Sequence, residues 1–175
     1  MDIRSTTILA VKRNGKTILI GDGQVTLGQQ IIFKSTAHKV RRLYDGNVLV
    51  GCAGGAADAF AMSEEFEKML SKYSGSLIRS AVEYAKTIRV QRNGAEAMII
   101  VADKDNLLII SSNGDVIEPD DGICAIGSGG NYAISAAKAL LQNTDMDAKE
   151  IAFKAMDIAS DLCVYTNTNF VVEEV

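Results

Sequence analysis

The sequence has one histidine, one proline and no closely spaced cysteines among its 175 residues. With His38 as its single imidazole, a histidine-based triad or a multi-histidine metal site would have to rest on that residue alone. Its place in the basic stretch "HKVRR" reads as an ordinary strand or loop position. Cys52, Cys124 and Cys163 are odd in number, far apart and set in apolar segments. That pattern predicts reduced, buried thiols in a cytosol-like compartment. Without a C-x-x-C pair a structural zinc site is not expected. No apolar run approaches the roughly 18 residues of a membrane span. Neither sign of charge dominates: 18 basic and 22 acidic residues are interspersed, for a net charge of −4. That balance argues against a nucleic-acid or anionic-membrane partner. The single proline, Pro119, ends the short strand-like segment 116–118.

What is present is a large apolar fraction, 47%, which excludes disorder and suits one domain with a sizeable core. Apolar alternation marks strands at 7–11 and 17–20, joined by the turn signal Asn14-Gly15. The glycine-punctuated "GDGQVTLGQQ" reads as a bend. Short strands follow near 31–34, 39–44 and 48–53. Apolar residues at helical spacing then predict two helices, "GGAADAFAMSEEFEKMLSKY" and "SLIRSAVEYAKTI". Strands resume at 97–102, 107–111 and 123–126. Two more helices, 132–142 and 148–164, follow, with Asp147 as the cap of the second, and a last strand covers 170–174. Strands joined by short turns are antiparallel, and helices arriving in pairs do not interleave as in βαβ units. The economical packing is α+β: two antiparallel sheets face to face, with a helix pair on each outer face. This is a four-layer αββα sandwich.

The start, "MDIRSTTILAV", places two threonines before the first strand behind a polar leader of five residues. The leader has no apolar core and no small-residue cleavage pattern, so it is not a signal peptide. Two readings stand at this point. Threonine suits strands and the leader frays, or Thr6 becomes the N-terminus of the mature chain. A free α-amine, with a reference pKa of about 7.7–8.0, can take the proton of its own threonine hydroxyl and generate a nucleophile without histidine. Such a site needs a nearby positive group, a carboxylate to hold that group and N–H donors for the oxyanion. Asp22 in "GDGQ", Lys39 in "HKVRR", Gly51 in "LVGCAGG" and Ser128 in "GSGG" are candidates. Each has an ordinary reading too: a turn aspartate, a surface strand lysine and two helix-entry loops. "GSGGN" would also suit a phosphate at a helix N-terminus, but it lacks the Lys-Ser/Thr of a P-loop and the full G-x-G-x-x-G.

Together these motifs are more specific than any one of them. In order, "TTILAV…GDGQVTLG…KVRRLY…GCAGGAADAF…AIGSGGNYA…DLCVYTNTN" closely resembles the HslV (ClpQ) peptidase family. These are bacterial proteasome-like β-subunits partnered by the HslU (ClpY) ATPase. The resemblance implies an N-terminal-nucleophile (Ntn) hydrolase fold over residues 6–175, a short leader at 1–5, and cytoplasmic threonine-type proteolysis inside two stacked hexameric rings. It implies that a hexameric AAA+ ATPase delivers unfolded polypeptides, this chain having no ATP site of its own. By motif, Thr6 is the nucleophile, its freed amine the base, Lys39 with Asp22 the charged support, Gly51 an oxyanion donor and Ser128 a helper near the amine. It further implies a sodium ion held by the backbone carbonyls of Ser160, Cys163 and Thr166. Ser160 replaces the usual glycine, so serine must tolerate the local backbone angles there. A second departure is "IRVQRNGAEA", shorter than the family's basic stretch and without its paired arginine, with a tight turn expected at Asn93-Gly94. That departure raises the expectation of altered coupling to the ATPase. The alternatives are an ATPase-independent self-compartmentalised peptidase and a non-catalytic ring scaffold. A scaffold has no chemical need for Thr6, Asp22, Lys39 and Ser128 together.

Overall fold

Successive side chains of a strand point to opposite faces, and the buried strands of this chain are apolar on both. In β2 (Thr7–Arg13), Leu9 and Val11 pack on one side while Ile8 and Ala10 pack on the other. In β3 (Lys16–Gly21), Ile18 and Ile20 share the side of Leu9, and Leu19 that of Ile8. A strand buried on both faces lies between two layers. The computed structural model describes residues 3–4, 6–28, 30–91 and 97–175, with backbone alone at 3–4 and 89–91.

The remaining elements, in order, are β1 (Ile3–Arg4, before β2), β4 (Val25–Leu27), β5 (Ile31–Lys34), β6 (Val40–Leu43), β7 (Val48–Gly54), α1 (Ala56–Lys72) and α2 (Leu77–Gln91). After these come β8 (Ala97–Ala102), β9 (Leu107–Ser111), β10 (Val116–Ile117), β11 (Ile123–Gly127), α3 (Gly130–Asn143), α4 (Ala148–Leu162) and β12 (Val171–Glu174). One antiparallel sheet has the order β11-β2-β3-β12, and another β10-β9-β8-β7-β6. Their facing sides form one apolar layer that includes Ile8, Leu19, Leu49, Ile100 and Ile126. Helices α1 and α2 cover the outer face of the five-stranded sheet through Phe66, Leu70, Leu77 and Tyr84. Helices α3 and α4 cover the four-stranded sheet through Ala133, Ile151, Ala155 and Met156. The expected αββα sandwich is thus observed. Each large aliphatic side chain sealed in these layers contributes about 1.5–3 kcal/mol relative to exposure.

Local signals act where expected. Asn14 and Gly15 both have positive φ, 53° and 78°, as the tight turn between β2 and β3 requires. Asp147 caps α4 in a capping box: its carboxylate accepts the Glu150 N–H, and the Glu150 carboxylate accepts the Asp147 N–H. Two short strands depart from the sequence reading. Within the expected glycine bend, residues 25–27 form β4, which pairs with β5 on one side and with β1 of the leader on the other. These strands are too short for alternation to announce them, and they exist only through mutual pairing. Helix α2 runs through Gln91, and the turn expected at Asn93-Gly94 lies outside the described residues.

Candidate active site

The layer between the sheets is apolar along most of its length and turns polar where β2 begins. Thr6 sits there, 7% exposed, on the wall of a cavity of about 210 Å³ that Val25, Lys39, Cys52, Gly54 and Phe60 also line. Asp22, fully buried just after β3, organises the polar end. Its Oδ1 accepts from the Lys39 ammonium at 2.8 Å and from the Thr7 N–H at 2.8 Å. Its Oδ2 accepts from the Gln24 N–H at 2.9 Å and the Asn167 N–H at 3.4 Å. The Lys39 ammonium also donates to the Gln24 carbonyl at 2.6 Å. A buried ion pair is tolerated when such bonds satisfy it, and it is seldom there for stability. Burial pushes the Lys39 amine below the usual lysine range, while the charge and hydrogen bond of Asp22 oppose that shift.

Asp22 is therefore more than a turn residue, and Lys39 is not a surface strand lysine. Lys39 lies in the loop just before β6, not on the strand. Its side chain is 8% exposed. The loop still follows the ladder for one more bond, because the Cys52 N–H donates to the Lys39 carbonyl at 3.1 Å.

That bond corrects the expected oxyanion donor. In an antiparallel ladder, successive N–H groups face alternate neighbours. The Cys52 N–H faces β6, so the Gly51 N–H faces β8, opposite Ile100. Gly51 stands outside the cavity lining, and a Cβ there would come within 2.6 Å of Ile8 Cγ2 on the facing sheet. Its glycine allows the two sheets to approach. Gly54, three residues on, lines the cavity. Its N–H turns away from β8 by the same alternation and lies beyond the end of β6, which begins at Val40 opposite Gly51. The spacing from Cys52 could have found it, had the end of the ladder been known.

Ser128 follows Gly127, the residue of β11 that pairs with Thr7, so its loop lies against the start of β2. The Ser128 side chain is exposed. The next amide, Gly129 N–H, donates inward to Thr7 Oγ1 at 3.0 Å and is not presented to a phosphate. Cys124 and Cys163 are buried free thiols, and burial raises Cys124 to about 12. Cys52 is partly exposed to the cavity, contrary to the expectation that all three are buried; desolvation raises it to about 11. His38 is exposed on the cavity rim.

The three residues suggested for sodium lie at and just beyond the C-terminal end of α4. Ser160 is in the last turn, Cys163 is the C-cap, and the Thr166 N–H donates to the Cys163 carbonyl at 3.0 Å. Last-turn carbonyls lack helical partners and carry the negative end of the helix dipole, which suits a cation. Ser160 has no positive φ and remains helical, so serine is accommodated where glycine was expected. The residues present fit a carbonyl-bound cation.

Four further residues complete the polar end. Thr7 and Thr166 share a hydroxyl–hydroxyl bond of 2.7 Å. The Gln24 amide donates to the Val164 carbonyl at 2.9 Å, and the Asn167 side chain accepts the Gly23 N–H at 3.1 Å. "DLCVYTNTN" is thus a wall of the site.

A family model described as Proteasome subunit matches residues 3–175. The chain is 57% identical over 175 residues to the ATP-dependent protease subunit HslV of Sulfurihydrogenibium sp. (strain YO3AOP1), covering 99% of this chain and 98% of that one. It is 55% identical to the protein of the same name from Staphylococcus carnosus (strain TM300), covering 98% and 97%. Among solved structures, eukaryotic HslV from Trypanosoma brucei superposes with a TM-score of 0.90 at 44% identity, over 96% of this chain and 98% of that one. Fold and sequence agree, and the chain belongs to the HslV group of the proteasome subunit family.

Proposed function

We propose that this chain is the proteolytic subunit of an ATP-dependent, proteasome-like protease in which Thr6 is an N-terminal nucleophile. The observation that carries the reading is the buried Lys39–Asp22 pair, tied to the Thr7 amide beside the Thr6-lined cavity. In the 175-residue chain the Thr6 nitrogen is in peptide linkage to Ser5, so hydrolysis of that bond must free the amine. The amine then takes the Thr6 hydroxyl proton, and the oxygen attacks the scissile carbonyl carbon. The Lys39 ammonium favours both the neutral amine and the developing alkoxide, and Asp22 holds it in place. The Gly54 N–H is set to stabilise the oxyanion. As the C–N bond breaks, the proton passes from the amine to the leaving nitrogen. Water then hydrolyses the Thr6 ester and restores the hydroxyl. Ser128, on the loop against β2, assists near the amine.

A sodium ion at the carbonyls of Ser160, Cys163 and Thr166 would supply a fixed positive charge behind the site and take no part in proton transfer. The working form is two stacked hexameric rings, fed with unfolded polypeptide by an HslU/ClpY-type AAA+ ATPase in the cytoplasm. The relatives' names speak of ATP dependence. The exposed Ile31, Ile32 and Phe33 of β5 give one subunit an apolar surface suited to contact with another chain. No described helix is long and apolar enough to cross a membrane.

The test is hydrolysis of a small apolar fluorogenic peptide, and of an unfolded protein with the ATPase and ATP, by the parent and by Thr6→Ala. The parent should cleave both, and Thr6→Ala neither, while keeping the same far-UV spectrum and ring mass by light scattering. Turnover by a folded Thr6→Ala protein would overturn the reading.

A further inference from the structure

The two adjacent threonines face opposite sides of their strand, and only the first is used by the chemistry above. Thr6 lines the cavity, whereas Thr7 falls in register with Leu9 and Val11 on the face that α3 and α4 cover. Its neighbours in that row, Leu9 and Val11, are apolar, and Thr7 is fully buried. A hydroxyl there needs partners. Its Oγ1 accepts the N–H of Gly129, the residue that caps the start of α3 without a side chain of its own. The same Oγ1 bonds the Thr166 hydroxyl at 2.7 Å, just beyond the end of α4. A Cβ at Gly129 would collide with both hydroxyl oxygens, so glycine is required for this approach. The Thr7 backbone is meanwhile fixed to the catalytic pair: its N–H donates to Asp22 Oδ1, and its carbonyl accepts the Asp22 N–H at 3.1 Å.

From this we infer that Thr7 is the positioning residue of the nucleophile. Its hydroxyl pins the second residue of the mature chain to the start of α3 and to the loop after α4. Once the leader is gone, Thr6 is joined to the protein covalently through Thr7 alone. The Thr7–Gly129–Thr166 knot then sets where the Thr6 oxygen stands relative to Lys39 and the Gly54 N–H. Removing the hydroxyl leaves the Gly129 N–H and the Thr166 oxygen each without a buried partner, and their reorganisation moves the end of β2. The inference rests on Thr6 as the nucleophile.

The experiment compares Thr7→Val, Thr7→Ser, Thr166→Val and the double variant Thr7→Val/Thr166→Val with the parent and Thr6→Ala. Protein is used whose intact mass begins at Thr6, in assembled rings. Valine keeps the branched shape of threonine and removes the hydroxyl, while serine keeps the hydroxyl. A misplacement of about 1 Å lowers turnover by about 100-fold. Thr7→Val should therefore lose on the order of 10- to 100-fold in kcat with KM within about two-fold. Thr166→Val should lose less in the same direction, and the double variant should be no worse than Thr7→Val, because both remove one shared bond. Thr7→Ser should recover most of the turnover. If Thr7→Val does not assemble or mature, Thr166→Val and Thr7→Ser carry the test through the same kcat and KM comparison. Near-parental kcat in Thr7→Val beside an inactive Thr6→Ala overturns the positioning role alone. Equal losses in Thr7→Ser and Thr7→Val, or a double variant with multiplied losses, overturn it as well. Activity in Thr6→Ala overturns the underlying nucleophile assignment.

Discussion

The space between the two sheets has two unlike ends. Toward Ile100, Ala102 and Leu107 it is sealed and mainly apolar, with the buried Thr17 hydroxyl as an exception. Toward Thr6 it opens on a cavity lined by Thr6 and Lys39, with the buried Asp22 carboxylate holding the Lys39 ammonium. Both ends are densely enclosed, but they are enclosed for different reasons. The apolar end lowers the free energy of the fold through area removed from water. The polar end opposes folding through desolvation, offset by charge attraction and by hydrogen bonds on both Asp22 oxygens. An arrangement of that kind persists where its electrostatics are used.

Substitutions at the two ends should separate turnover from stability. At the polar end, Lys39→Ala should lose about 100- to 1,000-fold in kcat/KM in assembled rings, the effect of losing one preorganised electrostatic support. Near-parental turnover would mean that another group supplies the charge. At the apolar end, Ile100→Ala should lower unfolding free energy in denaturant titrations by about 2–5 kcal/mol, with turnover per folded molecule little changed. A large loss of turnover there, at unchanged stability, would break the contrast between the two ends.

A subtler effect concerns pH. Burial lowers the Lys39 pKa, and Asp22 raises it back in part. Activity that needs the ammonium is lost as pH rises through that pKa. Asp22→Asn removes the opposing influence, so the pKa falls further and the alkaline limb of the kcat/KM profile should move to lower pH. A limb that stays in place would show that Asp22 does not act through Lys39. The smallest expected effect is at Cys52, which lines the cavity but has its thiol raised to about 11. Iodoacetamide at pH 8 should label it far more slowly in the folded protein than after denaturation, as read by peptide mass spectrometry. Equal rates would show a cavity more polar than the structure indicates.

Much of this was legible in the chain itself. Alternation in β2, β3, β7 and β8 and the paired helices specify the sandwich, because each is a local pattern long enough to resolve. Thr6, Asp22 and Lys39 stand out by motif. What could not be read depends on where distant segments end. Gly51 and Gly54 are alike in sequence. They are separated by the end of β6, which exposes one amide and leaves the other facing β8. Thr166 meets Thr7 across 159 positions of sequence, and no local rule links them. The strands β1 and β4 have two and three residues and are formed by pairing alone.

The central claim is that the amine and hydroxyl of one residue, Thr6, act together at the end of the first long strand. It is tested most directly by the intact mass of protein that is turning over peptide. The account predicts a mass equal to residues 6–175, with a threonine-directed covalent inhibitor adding one equivalent at Thr6 and stopping hydrolysis. Full activity in protein that still carries residues 1–5, or a mature chain beginning at Thr7, would contradict it.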